Sequence, residues 1–273
     1  MHVGLLTSPF HNQNLKSIAQ WAAKAGFKAL EVPVGADAHL NPADVLADNG
    51  RAVKGILKDA GIGISSLACY RNWEPRETYD QIMRDSILAA ETLGVGVVCT
   101  FAGFPAPKKS KVQTLREVAP RVFEPLAREA EKCGVKIAFE NWFETNLQNL
   151  ECFRTAALAL PQPNIGFNFD PSHLHWQGID VVSMAEEFGA RIFHTHAKDA
   201  TLYREKASRL GPLATYQSFE FSIPGYGEVP WGPYIRALRK SQYDGVLSIE
   251  HEDGAFGVEE GFEKGLRFLS GLI

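Results

Sequence analysis

The chain has 273 residues and a mass of 30.1 kDa, too long for a small stapled module and in the range of one α/β barrel or two ordinary domains. With 45% hydrophobic and 22% charged residues it is composed as a globular protein, which excludes disordered, collagen-like and coiled-coil chains. A formal net charge of −4 without a clustered basic face excludes a nucleic-acid footprint.

In chain order, the predicted strands are VGLLT at the start, then AGFKALEV, AGIGISSLAC, LGVGVVCTF, CGVKIAFEN, PNIGFNFD, FGARIFHTH and DGVLSIEH. Each is a near-continuous apolar run, as in strands covered on both faces. Between them lie helix-length segments with apolar spacing near three and four, among them LKSIAQWAAKA, ADVLADNGRAVKGILKDA, YDQIMRDSILAAETL and LREVAPRVFEPLAREAEK. Glycines at 26, 61, 94, 134 and 189 stand where helices should end, the position that favours left-handed backbone. Eight helix-alternating strands predict βαβ units and a parallel sheet. With no composition break, the reading is one α/β domain over 1–273, a closed (β/α)8 TIM barrel. No G-x-G-x-x-G follows a strand, which argues against dinucleotide binding.

Predicted strand ends at Glu31, Leu67, Phe101, Glu140, Asp170 and His196 lie 26 to 39 residues apart, but the next, Glu250, lies 54 residues beyond His196. The surplus falls between His196 and Trp231. This insertion after the seventh strand, 200–230, carries little periodicity. In a barrel it lies on the active-site face, so it reads as a substrate-covering loop.

The four cysteines, Cys69, Cys99, Cys133 and Cys152, show no C-x-x-C spacing and are expected to be reduced thiols. The N-terminus has no signal-peptide pattern and no run reaches the length of a membrane span. The expectation is a soluble cytoplasmic protein with no membrane and no nucleic-acid partner.

Four strands end on groups that bind hard or borderline metals: Glu140, Asp170, His196 and Glu250. Each carboxylate follows a run that should be buried, where an unpaired charge is costly. On consecutive staves the four side chains would converge at one end of the barrel. Three carboxylates and one imidazole suit Mn²⁺, Mg²⁺ or Co²⁺, with Zn²⁺ less natural in the absence of thiolates. His194 alternates with His196, so one is expected to face the barrel mouth and the other the helices. His251, Glu252 and Asp253 read as solvated or supporting loop residues, and His2, His11 and His39 as surface or rim. Trp73 and Phe104 are candidates for walling a sugar pocket.

The phrases FEN, DPSHLHWQG, HTHAKD, PGYGEVPW and SIEHED, in this order at these strand ends, resemble the sugar phosphate isomerase/epimerase family of xylose isomerase-like TIM barrels. The resemblance implies one divalent cation held by Glu140, Asp170, His196 and Glu250. It implies that Glu140 and Glu250 double as the catalytic acid/base pair, and that His173 and Lys198 contact substrate. Trp142 and Glu144 depart from commoner relatives; Glu144 and Trp73 join the substrate-binding candidates.

The implied function is a metal-dependent isomerase or epimerase of a keto-sugar or sugar phosphate, moving a proton through a metal-stabilised enediolate. Loss of a β-hydroxyl from the same intermediate would make the protein a dehydratase of a keto-polyol such as an inosose. A non-catalytic sugar-binding barrel is a third reading. The similar metal-dependent apurinic endonucleases need further ligands that the third and fourth strands do not offer. Arg204, Lys206 and Arg209 are the candidate phosphate-binding residues, with a solvated surface as their alternative. The expected partner is a small-molecule sugar, and self-association into a homo-oligomer stays open.

Overall fold

The computed structural model describes residues 1–213 and 217–273. Eight parallel strands close into a barrel: β1 (His2–Leu6), β2 (Ala29–Pro33), β3 (Gly63–Cys69), β4 (Val97–Phe101), β5 (Lys136–Glu140), β6 (Ile165–Phe169), β7 (Ile192–Ala197) and, after β8 (Asp199–Leu202) and β9 (Phe219–Ser222), β10 (Val246–Ile249). The order around the barrel is β1-β10-β7-β6-β5-β4-β3-β2, while β8 and β9 pair antiparallel as a separate two-stranded ribbon. The fold is the predicted TIM barrel, with helices alternating with the strands.

Most strands end where their apolar runs end. Glu31, however, is not terminal: β2 continues through Val32 and Pro33, paired with Leu67 and Ala68 of β3. Two helical segments are each broken. ADVLADNGRAVKGILKDA forms helices Pro42–Asp48 and Arg51–Ala60, because Asn49 and Gly50 between them both take left-handed backbone, at φ 57° and 71°. LREVAPRVFEPLAREAEK belongs to helices Lys111–Glu117 and Ala119–Lys132, divided at Val118. Pro120 lacks an N–H and suits the first turn of a new helix, although the same helix also accommodates Pro125 in its interior. Four of the five marked glycines have positive φ, whereas Gly189 is right-handed and opens the turn Gly189–Arg191.

The helices pack their apolar faces on the outside of the barrel. Helix Ala119–Lys132 buries Val122, Phe123, Leu126, Ala127 and Ala130, a spacing that places one stripe against the sheet. Its Phe123 ring meets Phe139 of β5 edge-on with centroids 4.5 Å apart, worth about 0.5–1.5 kcal/mol beyond area burial. Among the described residues, no helix is long and apolar enough to cross a membrane. All four cysteines are free.

The 200–230 insertion has more structure than its lack of periodicity suggests: β8, helix Arg204–Leu210 and β9. The ribbon docks on the barrel rim through Trp176, whose ring stacks on Phe219 at 4.0 Å and 7°. Asp199 ties both ends of the insertion together. Its carboxylate accepts from the backbone N–H groups of Ala200, Gly225 and Val229 and from the Trp231 indole.

Candidate active site

At the C-terminal end of the barrel, Glu140 closes β5, Asp170 follows β6, His196 lies in β7 and Glu250 follows β10. One ligand atom from each lies within 4.8 Å of the others. His196 Nδ1 is 3.1 Å from both Glu140 Oε1 and Glu250 Oε2 and 3.9 Å from Asp170 Oδ2. Strands β6 and β7 separate β5 from β10, so the two glutamates reach His196 Nδ1 from different staves of the barrel.

The sequence phrases around these residues hold their geometry. Asn141, of FEN, donates its amide to Asp170 O at 2.8 Å, and Asp170 N returns a bond to Asn141 Oδ1 at 2.9 Å, locking two strand ends together. Asp170 caps helix Pro171–His175, where Oδ1 accepts from both Ser172 N and Ser172 Oγ. That orientation leaves Oδ2 buried in the cluster without a hydrogen-bond partner. A buried carboxylate oxygen that accepts no hydrogen bond, among two more carboxylates and an imidazole nitrogen, fits a divalent cation. The donor set is oxygen-rich, as hard or borderline cations prefer.

His173, on the same short helix, and Lys198, just after β7, are buried beside the cluster. Lys198 Nζ lies 2.6 Å from Glu250 Oε2, 3.0 Å from Glu252 Oε2 and 3.4 Å from Asp170 Oδ2. Burial opposes its charge, but the carboxylates of Glu250, Glu252 and Asp170 outweigh burial and hold the ammonium well above its ordinary pKa. His173 Nε2 faces that ammonium at 3.3 Å, and burial, reinforced by Lys198, pushes the imidazole down to about 3. It is therefore a neutral ring. The two glutamates are unequal: burial raises Glu140 to about 7, whereas Lys198 and His196 overcome burial at Glu250 and hold it well below the usual range.

A cavity of about 680 Å³ opens above the cluster. Glu140, Glu250, Glu252, His173 and Lys198 line its polar side, and Tyr70, Phe101, Trp142 and Phe221 form an aromatic wall. Phe221 comes from the insertion, its ring edge-on to His173 at 5.0 Å and 4.6 Å from Lys198 Nζ. His11 lines the mouth.

Several expected residues lie elsewhere. Trp73 is buried against Phe123, and at Gly103, with φ 70°, a Cβ would stand 2.4 Å from the indole. It is a core residue held by that close approach, away from the cavity lining. Phe104 stands behind Phe101 and Trp142, and Glu144 is exposed; neither lines the cavity. Arg204 pairs with Glu228, Arg209 with Glu205, and Lys206 lies over Tyr203, all away from the cavity.

Packing decides the remaining histidines and loop acids, and it reverses the expectation for the pair His194 and His196. His194 and His196 both point into the barrel, because residues two apart on a strand share a face. His194 lies one layer deeper, where Nδ1 meets Asn168 Oδ1 at 2.9 Å and burial lowers its pKa to about 4. His251 is buried, with Nε2 3.2 Å from Gly257 O, and Glu252 belongs to the cavity through Lys198. Asp253 accepts from Ile223 N, and the ring of His39 bridges Thr7 and Phe10.

Glu31 was not read as a site residue. Completely buried beneath the cluster, it accepts from Tyr70 Oη at 2.6 Å and Ser248 Oγ at 2.8 Å and faces His196 Nε2 at 3.1 Å. Burial opposes its charge, but His196 and His194 more than compensate and bring it down to about 2. A charged residue inside the apolar run KALEV was the signal that could have found it.

Fold and site together define a TIM barrel with a carboxylate–histidine cluster and a polar, aromatic-walled cavity at its C-terminal end. Residues 19–272 match the xylose isomerase-like TIM barrel family, and the chain belongs to that family. It is 26% identical to the uncharacterized protein YfiH of Bacillus subtilis (strain 168), with 100% of this chain and 99% of that protein covered. A match to an inosose dehydratase of Clostridium beijerinckii is 25% identical over 46% of this chain and 44% of that enzyme. The structure of IolI protein with a bound zinc atom superposes with a TM-score of 0.77 at 18% identity, covering 100% of this chain and 98% of the other, a likeness of fold.

Proposed function

We propose that the protein is a divalent-metal-dependent enzyme that epimerises or isomerises a keto-sugar by proton transfer at the carbon beside its carbonyl. The observation that carries this is the convergence of Glu140 and Glu250 on one nitrogen, His196 Nδ1, with Asp170 Oδ2, which accepts no hydrogen bond, completing a cation site. Glu140, Asp170, His196 and Glu250 would hold the cation. Mn²⁺, Mg²⁺ or Co²⁺ suits these ligands, and Zn²⁺ is compatible. When bound, the cation supplies Lewis-acid polarisation that acidifies the C–H next to a carbonyl.

The chain's own groups do the rest. One glutamate removes the proton and the other returns one, to the opposite face for epimerisation or to the neighbouring carbon for aldose–ketose isomerisation. Lys198 and neutral His173 offer a donor and a ring nitrogen to substrate hydroxyls. The aromatic wall, with Phe221 from the insertion, gives the apolar side of a sugar a surface and helps to exclude water. Lys198 is the one cationic side chain among the described lining residues besides the histidines, and three carboxylates already face it. An unphosphorylated substrate is the better fit.

The likeness to inosose dehydratases favours a second reading, in which the same proton abstraction is followed by departure of a β-hydroxyl from a keto-polyol. One experiment separates the outcomes. Purified protein is incubated with Mn²⁺ and a panel of ketoses, keto-polyols and their phosphates in deuterated water and followed by NMR. Carbon-bound deuterium with retained hydroxyls supports epimerisation or isomerisation, and a deoxy-keto product identifies the dehydratase. No exchange and no product with any compound would overturn both.

A further inference from the structure

We propose that Glu31 is the positioning residue of the cation site: it fixes the tautomer of His196 from below, so that cation affinity depends on a carboxylate that reaches neither the cation nor the cavity. The inference rests on the divalent-cation reading of the cluster and assigns a role that reading does not need.

The argument is one of donors and acceptors. His196 is fully buried and both ring nitrogens face carboxylates, Nδ1 toward Glu140 and Glu250 and Nε2 toward Glu31 Oε2 at 3.1 Å. Tyr70 Oη is also 3.1 Å from Nε2, but its single proton is committed to Glu31 Oε1 at 2.6 Å. Asn168 Nδ2 stands 3.1 Å from Nε2 and donates to Tyr70 Oη at 2.8 Å, while Asn168 Oδ1 meets His194 Nδ1. An ionised carboxylate only accepts, so the contact between Glu31 and Nε2 requires a proton on Nε2. The same rule calls for a proton on Nδ1 between Glu140 and Glu250; a cation held there would displace that proton and take the Nδ1 lone pair, while Glu31 keeps the one on Nε2.

Glu31 is itself held. Ser248 Oγ donates to Oε2 at 2.8 Å and Tyr70 to Oε1, so the carboxylate cannot swing away from the imidazole. Glu31 comes from β2, Ser248 from β10 and Tyr70 from just past β3, so the ring of His196 is oriented from strands that supply no carboxylate to the cluster except through Glu250. A carboxylate behind a metal-binding histidine fixes its orientation and raises its basicity, and loss of such a partner typically weakens metal binding about 10- to 100-fold.

The test uses metal-free full-length protein. Wild type and Glu31→Gln are titrated with Mn²⁺, free Mn²⁺ being counted by electron paramagnetic resonance, and circular dichroism checks the fold. The expected result is about one Mn²⁺ per chain in both and at least about tenfold weaker binding in the variant. In zinc-loaded protein with ¹⁵N-labelled histidine, the His196 Nε2–H proton is expected downfield in wild type and displaced upfield in Glu31→Gln. Ser248→Ala, which removes one restraint on Glu31 and leaves the imidazole intact, should weaken binding by a smaller factor. If Glu31→Gln does not fold, Ser248→Ala decides, and unchanged affinity there overturns the proposal. Equal affinity and an unmoved ring proton in a folded Glu31→Gln overturn the role of Glu31 alone. A wild-type protein that takes up no Mn²⁺ overturns the cation reading and this role with it.

Discussion

The indole Nε1 of Trp231 donates to the carboxylate of Asp199 across 2.8 Å, joining the first residue of β8 to the helix that follows the insertion. Three backbone N–H groups share that carboxylate, so removing it leaves several donors without an acceptor. Asp199→Ala should lower stability by about 3 kcal/mol, since hydrogen bonds to charged groups are worth about 1.5–3 kcal/mol each and their losses overlap. Denaturant unfolding measures this, with limited proteolysis expected to cut first within 200–230. Unchanged stability would contradict the anchoring role.

Glu140 stands at the cluster and lines the cavity, touching both the imidazole and the space above it. Glu140→Gln keeps the shape and removes the proton acceptor. Turnover should fall about 10²- to 10⁴-fold, the usual worth of a positioned general acid or base. Circular dichroism and the melting temperature should stay near wild type. Residual activity within a factor of a few would remove Glu140 from the chemistry.

Chelation gives a separate readout. Dialysis against a chelator should abolish activity and lower the melting temperature, because three carboxylates would then face one another with only His196 and Lys198 to balance them. Added Mn²⁺ should restore both at about one ion per chain. Full activity in metal-free protein would rule out a cation in the reaction.

Phe221 belongs to the ribbon and reaches the cavity beside His173 and Lys198, without being a ligand of the cluster. Phe221→Ala should raise KM about tenfold, the loss of one aromatic contact of about 1–1.5 kcal/mol, and leave Mn²⁺ affinity unchanged. A matching fall in Mn²⁺ affinity would place it in the cation site instead.

Trp73 should behave as core. Trp73→Ala opens a hole against Phe123 and Gly103 and should cost about 3–5 kcal/mol. In protein that remains folded, KM should be unchanged. A specific rise in KM at unaltered stability would return Trp73 to the cavity.

What was legible in the chain follows from how each feature is encoded. Glu140, Asp170, His196 and Glu250 were visible because each ends or follows a buried run, where an ionisable group is conspicuous. The ribbon was not, because β8 and β9 are only four residues each and its turns leave no period to detect. Trp73 was misplaced because the chain shows that an aromatic lies near the mouth but not which way it turns; the space is set by Gly103, thirty residues on. His194 and His196 share a face because they lie two apart on a strand, and Glu31, a conspicuous charge inside KALEV, shows its role only through Tyr70, Ser248 and His196, contacts that exist only once the barrel closes.

The doubly anchored insertion has a consequence for variation among related barrels. Asp199 fastens the segment where it leaves the barrel and again at Gly225, Val229 and Trp231, where it returns. Residues can be gained or lost between these points at little entropic cost, since loop closure grows only slowly with length. Length can therefore change within this segment while the strand ends that carry Glu140, Asp170, His196 and Glu250 keep their spacing.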